Sequence, residues 1–199
     1  RPALQIDAQS RAAALAKFGL SLDRPVLALC PGAEFGEAKR WPSEHYAKVA
    51  EAKIRDGWQV WLFGSKNDHA VGEDIRSRLI PGLREEAANL SGGTSLAEAI
   101  DLLSCADAVV SNDSGLMHVA AALNRPLVAV YGSTSPGFTP PLAEHVEIVR
   151  LGIECSPCFD RTCRFGHYNC LRLLEPGKVI AALHNLAGPN RIDVLAEVD

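Results

Sequence analysis

ADAVVSNDSGLMHVAAALNRPLVAVYGSTSP, residues 106–136, reads as strand, turn, helix, strand and turn. The apolar run from Ala108 to Ser111 has the length and β-branched content of a buried strand, and so has Leu127 to Tyr131. Between them, Ser114 to Leu123 is Ala-rich and helical in pattern, with Asp113 and Ser114 at its start, where short polar side chains cap a helix. Two strands joined through a helix form a βαβ unit, whose strands run parallel through a right-handed crossover.

The same pattern continues in both directions. Val26 to Cys30, Gln59 to Phe63 and Val146 to Leu151 are further short runs rich in Val, Leu and Ile. Helices are expected over Ser43 to Asp56, Asp68 to Leu79 and Ser95 to Ser104, with an Ala-rich helix from Asp7 to Phe18 and a last one from Pro176 to Leu186. The Ser43 helix carries Tyr46, Val49, Ala50 and Ile54 on one face, starts beside Pro42 and stops at Gly57. Near-continuous apolar strands alternating with amphipathic helices imply an α/β fold, a Rossmann-like parallel sheet with helices on both faces. The 199 residues suit one domain, 1–199, with a core from about 22 to 187 and a tail from Gly188 to Asp199.

Composition narrows the function. With 47% hydrophobic and 22% charged residues the chain is globular, not disordered or fibrous. A net charge of −4 and the absence of a long basic run argue against general nucleic-acid binding, while leaving room for a local basic pocket. No stretch approaches the roughly 20 apolar residues of a membrane span, and the N-terminus lacks the regions of a signal peptide, so a cytoplasmic location is expected. The first residue is Arg and not Met, which suggests a piece of something longer.

In an open parallel sheet ligands bind beyond the carboxyl ends of the strands, so the turns after the strands are the candidates. The first, PGAEFGEAKRWP at 31–42, combines Gly32 and Gly36 with Lys39 and Arg40, the backbone access and positive charge a diphosphate needs; a solvated surface loop is the alternative. The second, GSKND at 64–68, ends in Asp68, placed either to hold ribose hydroxyls or to cap the next helix, with the cap favoured by spacing. In the third, Asp113, Ser114 and Gly115 open a helix whose free amides and dipole make an anion site, or simply cap it. The fourth, YGSTSP at 131–136, offers hydroxyls beside the third. His118 is assigned no catalytic role. No GxSxG, HExxH or GxGxxG motif is present, and no turn supplies a strong nucleophile.

PGAEFGEAKRWPSEHYA, WLFGSKNDHAVGEDI and above all VVSNDSGLMHVAAALNRPLVAVYGSTSP resemble the lipopolysaccharide heptosyltransferases of glycosyltransferase family 9, its type II branch in particular, from about Val26 to about Ala187. The resemblance implies the C-terminal, donor-binding half of a GT-B enzyme that transfers heptose from ADP-heptose to the lipopolysaccharide inner core. The lipid A-core acceptor and the catalytic base then belong to an N-terminal domain absent from this chain, and the isolated chain is expected to be inactive. By position, the resemblance places Lys39 on the leaving diphosphate near Gly32 and Ala33, and Asp68 on the ribose. It places Gly93 and Thr94 near adenine, Asp113 on heptose hydroxyls, and the Ser114 and Gly115 amides on phosphate. It implies no required cofactor or divalent metal, consistent with turns that contain no DxD pair, and peripheral association of the whole enzyme with the cytoplasmic face of the inner membrane.

Cysteines form the remaining motif. Cys30 and Cys105 sit in apolar surroundings, whereas Cys155, Cys158, Cys163 and Cys170 crowd together with two, four and six residues between them. Four thiolates, with His167 as a substitute, can serve zinc or iron–sulfur; free or disulfide-paired structural cysteines are the favoured alternative, so no metal is assigned. Two other functions fit the same residues: a non-catalytic nucleotide-binding module, and a metal-binding interaction domain built on the cysteines.

Overall fold

A computed structural model describes residues 2–187; the tail expected from Gly188 to Asp199 lies outside the described residues. Six strands, β1 (Val26–Cys30), β2 (Gln59–Leu62), β3 (Ala87–Asn89), β4 (Ala108–Asn112), β5 (Leu127–Tyr131) and β6 (Val146–Arg150), form one sheet. Every neighbouring pair is parallel. Parallel neighbours require crossovers: helices α2 (Ser43–Arg55), α3 (His69–Arg78), α4 (Leu96–Leu103) and α5 (Gly115–Ala122) supply the first four, and the irregular segment 132–145 carries the chain from β5 to β6. α1 (Ala8–Phe18) precedes the sheet, and α6 (Asn169–Arg172) and α7 (Pro176–Ala187) follow it.

Strand side chains alternate between two cores because successive residues point to opposite faces. Leu27 and Leu29 join Tyr46, Val49 and Ile54 of α2 and Leu183 of α7 on one side. Val26, Ala28 and Cys30 join Leu102 and Leu103 of α4 and Met117 and Ala120 of α5 on the other. All five residues of β1 are buried, which explains why its sequence shows no polar alternation.

The expected helices are present with ends displaced by a residue or so; α2, for example, stops at Arg55, and Gly57 (φ 85°) turns the chain into β2. Strand ends also differ from expectation: β2 stops at Leu62, β4 runs on to Asn112 and β6 stops at Arg150. β3 and the single-turn α6 were not expected. β3 reads Ala-Ala-Asn, without a branched or aromatic residue, and is held by its register on β2, Val60 to Ala87 and Leu62 to Asn89. The segment from Pro31 to Pro42 is not a solvated loop. Ala33, Ala38 and Trp41 are buried, and the Trp41 indole donates to the Leu174 carbonyl at 2.9 Å.

The sheet order β3-β2-β1-β4-β5-β6 positions the site. The chain moves outward from β1 to one edge, returns, and moves from β4 to the other edge. The crevice beyond the carboxyl ends of β1 and β4 therefore opens at the reversal of strand order, where such sheets bind ligands.

Candidate functional site

The turns after β1, β2 and β4 surround one cavity of about 690 Å³ at this reversal point, a volume suited to a small molecule. Gly32, Ala33 and Lys39 come from the first turn, Asp68 from the second, Thr94 from the approach to α4, and Asp113, Ser114 and Gly115 from the third. Gly93 does not line it. His118 does, together with Leu96 and Val119, which give the wall an apolar part.

Asn112, at the end of β4, joins the first turn to the third. Its Oδ1 accepts from the Trp41 N–H at 3.2 Å and the Tyr46 hydroxyl at 3.0 Å, and its Nδ2 donates to the Pro31 carbonyl at 2.7 Å. The side chain is fully buried, so these bonds replace all contact with water.

Lys39 is delivered into the cavity by a short 3₁₀ turn, Glu37–Lys39. Its Nζ lies 2.7 Å from Asp113 Oδ2 and 4.7 Å from the centre of the Phe35 ring, so a carboxylate and an aromatic face fix its direction. Thr134 donates to Asp113 Oδ2 at 2.6 Å and Thr139 donates to Oδ1 at 3.2 Å. Here the Thr134 hydroxyl of the fourth turn acts through Asp113.

These bonds change the expected capping. Asp113 does not cap α5, because Lys39, Thr134 and Thr139 occupy its oxygens. Ser114 stands at the N-cap with extended backbone but makes no capping bond; its hydroxyl lies 3.2 Å from that of Ser111. The first amides of α5 are thus left without a side-chain acceptor at the edge of the cavity, with the positive end of the helix dipole behind them.

Asp68 also departs from the capping expectation. Asp68 stands at the start of α3 but its side chain makes no capping bond there; it turns back to Ser65, which heads the preceding 3₁₀ turn Lys66–Asp68, and Asp68 Oδ2 accepts from the Ser65 backbone N–H at 2.9 Å and hydroxyl at 2.8 Å. Asp68 Oδ1 is buried without a hydrogen-bond partner, with the Arg40 guanidinium 3.8 Å away. An unpaired buried carboxylate oxygen in a cavity is ready for a donor such as a hydroxyl. Gly32 permits the approach: a Cβ there would stand 2.5 Å from Asp68 Oδ2.

Asn112, Phe35 and Thr139 escaped the sequence reading. A polar residue ending a buried strand was the available signal for Asn112; Phe35 and Thr139 had none. The Cys155–Cys170 group lies away from this cavity. Its four cysteines line a second, small cavity together with Ser133 and His167, and all are free thiols. The backbone N–H groups of Tyr168, Phe165, His167 and Gly166 push the Cys163 thiol pKa down, whereas burial, reinforced by the other three thiols, pushes that of Cys170 up. Cys30, wholly buried beneath the main cavity, is pushed up to about 12 by desolvation.

With this geometry in hand, similarity to known proteins is informative. The model of glycosyltransferase family 9 (heptosyltransferase) matches residues 1–169. Lipooligosaccharide heptosyltransferase 2 of Haemophilus influenzae is 54% identical over 155 residues, 76% of this chain and 45% of that protein. The solved ADP-heptose LPS heptosyltransferase II of E. coli superposes with a TM-score of 0.83 at 44% identity, over 93% of this chain and 53% of the other. The E. coli heptosyltransferase WaaC with ADP shares the fold at a TM-score of 0.66 and 24% identity, over 94% and 51% of the two chains. The chain spans about half the length of the curated relatives it matches.

Proposed function

The chain belongs to glycosyltransferase family 9, and from that premise we propose that it is the donor-binding part of an enzyme that transfers heptose from ADP-heptose to the inner core of lipopolysaccharide. One observation carries the reading: Lys39, the uncapped start of α5 and the unpaired Asp68 oxygen all line one cavity at the reversal of strand order. A nucleoside diphosphate sugar requires these elements together: positive charge for the diphosphate and an acceptor for the ribose hydroxyls.

In this reading Asp68 Oδ1 accepts from the ribose, and the backbone around Gly93 and Thr94 borders adenine, with Leu96 as apolar contact. The diphosphate lies between Gly32, Ala33 and the amides of Ser114 and Gly115, within reach of Lys39. Asp113 Oδ1, whose one protein donor among the described residues is Thr139, has capacity for a heptose hydroxyl. During transfer the acceptor oxygen bonds to the anomeric carbon as the bond from that carbon to the diphosphate breaks, and the electron pair leaves with ADP. Lys39 and the α5 dipole stabilise that departing charge without an added divalent cation.

The base that takes the acceptor proton, and the lipid A-core acceptor site, belong to the part of the relatives this chain does not cover. Residues 1–199 then act as one ADP-sugar-binding unit and turn over negligibly alone. No helix among the described residues is long and apolar enough to cross a membrane, and the whole enzyme is assigned to the cytoplasmic face of the inner membrane, associated peripherally. Calorimetric titration with ADP, ADP-heptose and GDP-mannose tests the reading. Binding of both adenine ligands, ADP-heptose more tightly, with GDP-mannose silent, is expected. ADP-heptose no tighter than GDP-mannose would refute it.

A further inference from the structure

The loop between β6 and α6, residues 151–168, is long and without regular structure. Loops of this length inside a compact unit need something to hold them. This one has no apolar core of its own: its aromatics Phe159 and Phe165 are 47% and 62% exposed, while Cys155, Cys158 and Cys163 turn toward a common cavity that Cys170 of α6 completes. The polarity is the reverse of a loop held by hydrophobic packing.

From this arrangement we propose that Cys155, Cys158, Cys163 and Cys170 bind a single thiophilic metal ion, zinc or iron, which pins this loop against the turns of the donor site. Three features support it beyond spacing. All four thiols are free and line one small cavity of about 10 Å³, room for a single atom. The Ser133 hydroxyl on the same cavity is 1% exposed and has no hydrogen-bond partner, so a buried donor is available to a thiolate. Cys163 heads a tight turn in which the Gly166 N–H (φ 71°) donates to the Cys163 carbonyl at 2.9 Å, and the backbone N–H groups of Phe165, Gly166, His167 and Tyr168 face the sulfur. Amides so placed compensate thiolate charge.

His167 is a positioning residue in this site, not a ligand. Its Nδ1, 4.0 Å from Cys163 Sγ, already accepts the Asn169 N–H at 3.0 Å, which leaves the tetrathiolate set preferred by zinc and iron. Among the described residues no three such side chains are yet converged to hold an ion, so loading rotates the thiols inward. Four S–H groups lose their protons to solvent as four metal–sulfur bonds form, with no change in oxidation state.

The pinned loop reaches the donor site directly. The Ala38 N–H donates to the Arg161 carbonyl at 3.1 Å, the Cys158 and Phe159 N–H groups donate to the Ser133 carbonyl, and the Ser156 hydroxyl donates to the Gly132 carbonyl at 2.6 Å. Ala38 precedes Lys39, and Ser133 precedes Thr134, which holds Asp113.

The test is elemental analysis of the full chain purified under reducing, chelator-free conditions, followed by cobalt(II) titration of the stripped protein. One equivalent of zinc or iron is expected; elemental analysis distinguishes them, and iron adds a visible absorption. Cobalt should give thiolate charge-transfer and tetrahedral ligand-field bands. Cys163→Ser should lose the metal while Cys105→Ser keeps it. Stripping should lower the melting temperature. The wild-type measurements stand even if Cys163→Ser fails to fold. No metal and no cobalt bands, or a mass showing two disulfides, would overturn the proposal; neither outcome bears on donor binding.

Discussion

Replacing Asn112 by alanine should be among the costliest single changes available near the site. The substitution removes the acceptor of the Trp41 N–H, the donor to the Pro31 carbonyl and the nearer partner of the Tyr46 hydroxyl, all in a region closed to water. Each orphaned buried polar group costs about 1–3 kcal/mol. Tyr46 retains a weaker bond to the Cys30 carbonyl at 3.4 Å, so two groups bear the full penalty and the total is about 2–6 kcal/mol. A domain of this size loses roughly 2–4 °C in melting temperature per kcal/mol, and Asn112→Ala should melt roughly 4–24 °C below wild type. Urea unfolding followed by tryptophan fluorescence measures the cost directly if the m-value is unchanged. A double-mutant cycle with Tyr46→Phe isolates the bond: Tyr46→Phe should cost about 1 kcal/mol in wild type and close to nothing in Asn112→Ala, a coupling of about 1 kcal/mol. A loss below about 1 kcal/mol for Asn112→Ala, or strict additivity in the cycle, would refute the role of Asn112 as the tie between the two turns.

Lys39→Ala should weaken ADP roughly 10- to 100-fold and flatten the salt dependence of binding, since a charge-assisted contact is worth about 1.5–3 kcal/mol; calorimetry at two ionic strengths showing neither change would remove Lys39 from the site. Asp113→Ala should spare ADP, because it frees Lys39, and weaken ADP-heptose; equal losses for both ligands would contradict its assignment to the sugar. His45 is buried with Nδ1 unpartnered, and desolvation holds its pKa below 6.5. The unfolded chain therefore binds more protons than the folded one as pH falls below 6.5, and stability present above that pH is lost through the folded pKa. Thermal melts between pH 8 and 5 should show a smaller loss for His45→Gln than for wild type, and parallel curves would exclude His45 as the source.

Legibility followed the range of the interactions. β1, β4 and β5 were evident because strands buried on both faces must be apolar along their whole length, whereas β3 depends on pairing with β2 and its Ala-Ala-Asn carries no such mark. Lys39 and Asp113 could each be suspected as charges at strand ends. That they meet could not be read, because 74 positions separate them and only the adjacency of β1 and β4 brings them together. Asp68 shows the limit of a local rule: a cap and a turn-closing carboxylate differ by one helical turn, and the insertion of a 3₁₀ segment decided between them.

The same distinction explains how a site made of turns can be preorganised. Turns have little packing of their own, and catalysis by fixed charge requires that charge be held before the substrate arrives. Here the ties are long-range: Asn112 from β4 to the first turn, Thr134 and Thr139 to Asp113, Phe35 beneath Lys39. Phe35 is itself faced by Arg161 at 5.0 Å, on the cysteine-lined loop. Lys39 is thus restrained from one side by a carboxylate and from the other by a ring that the loop supports. In the proposed reading a diphosphate draws Lys39 from Asp113 without releasing it from Phe35, a short rotation of the side chain and not a rebuilding of the turn. On that basis Phe35→Leu should leave the fold intact yet weaken ADP, and an unchanged ADP affinity would show that Asp113 alone suffices to aim Lys39.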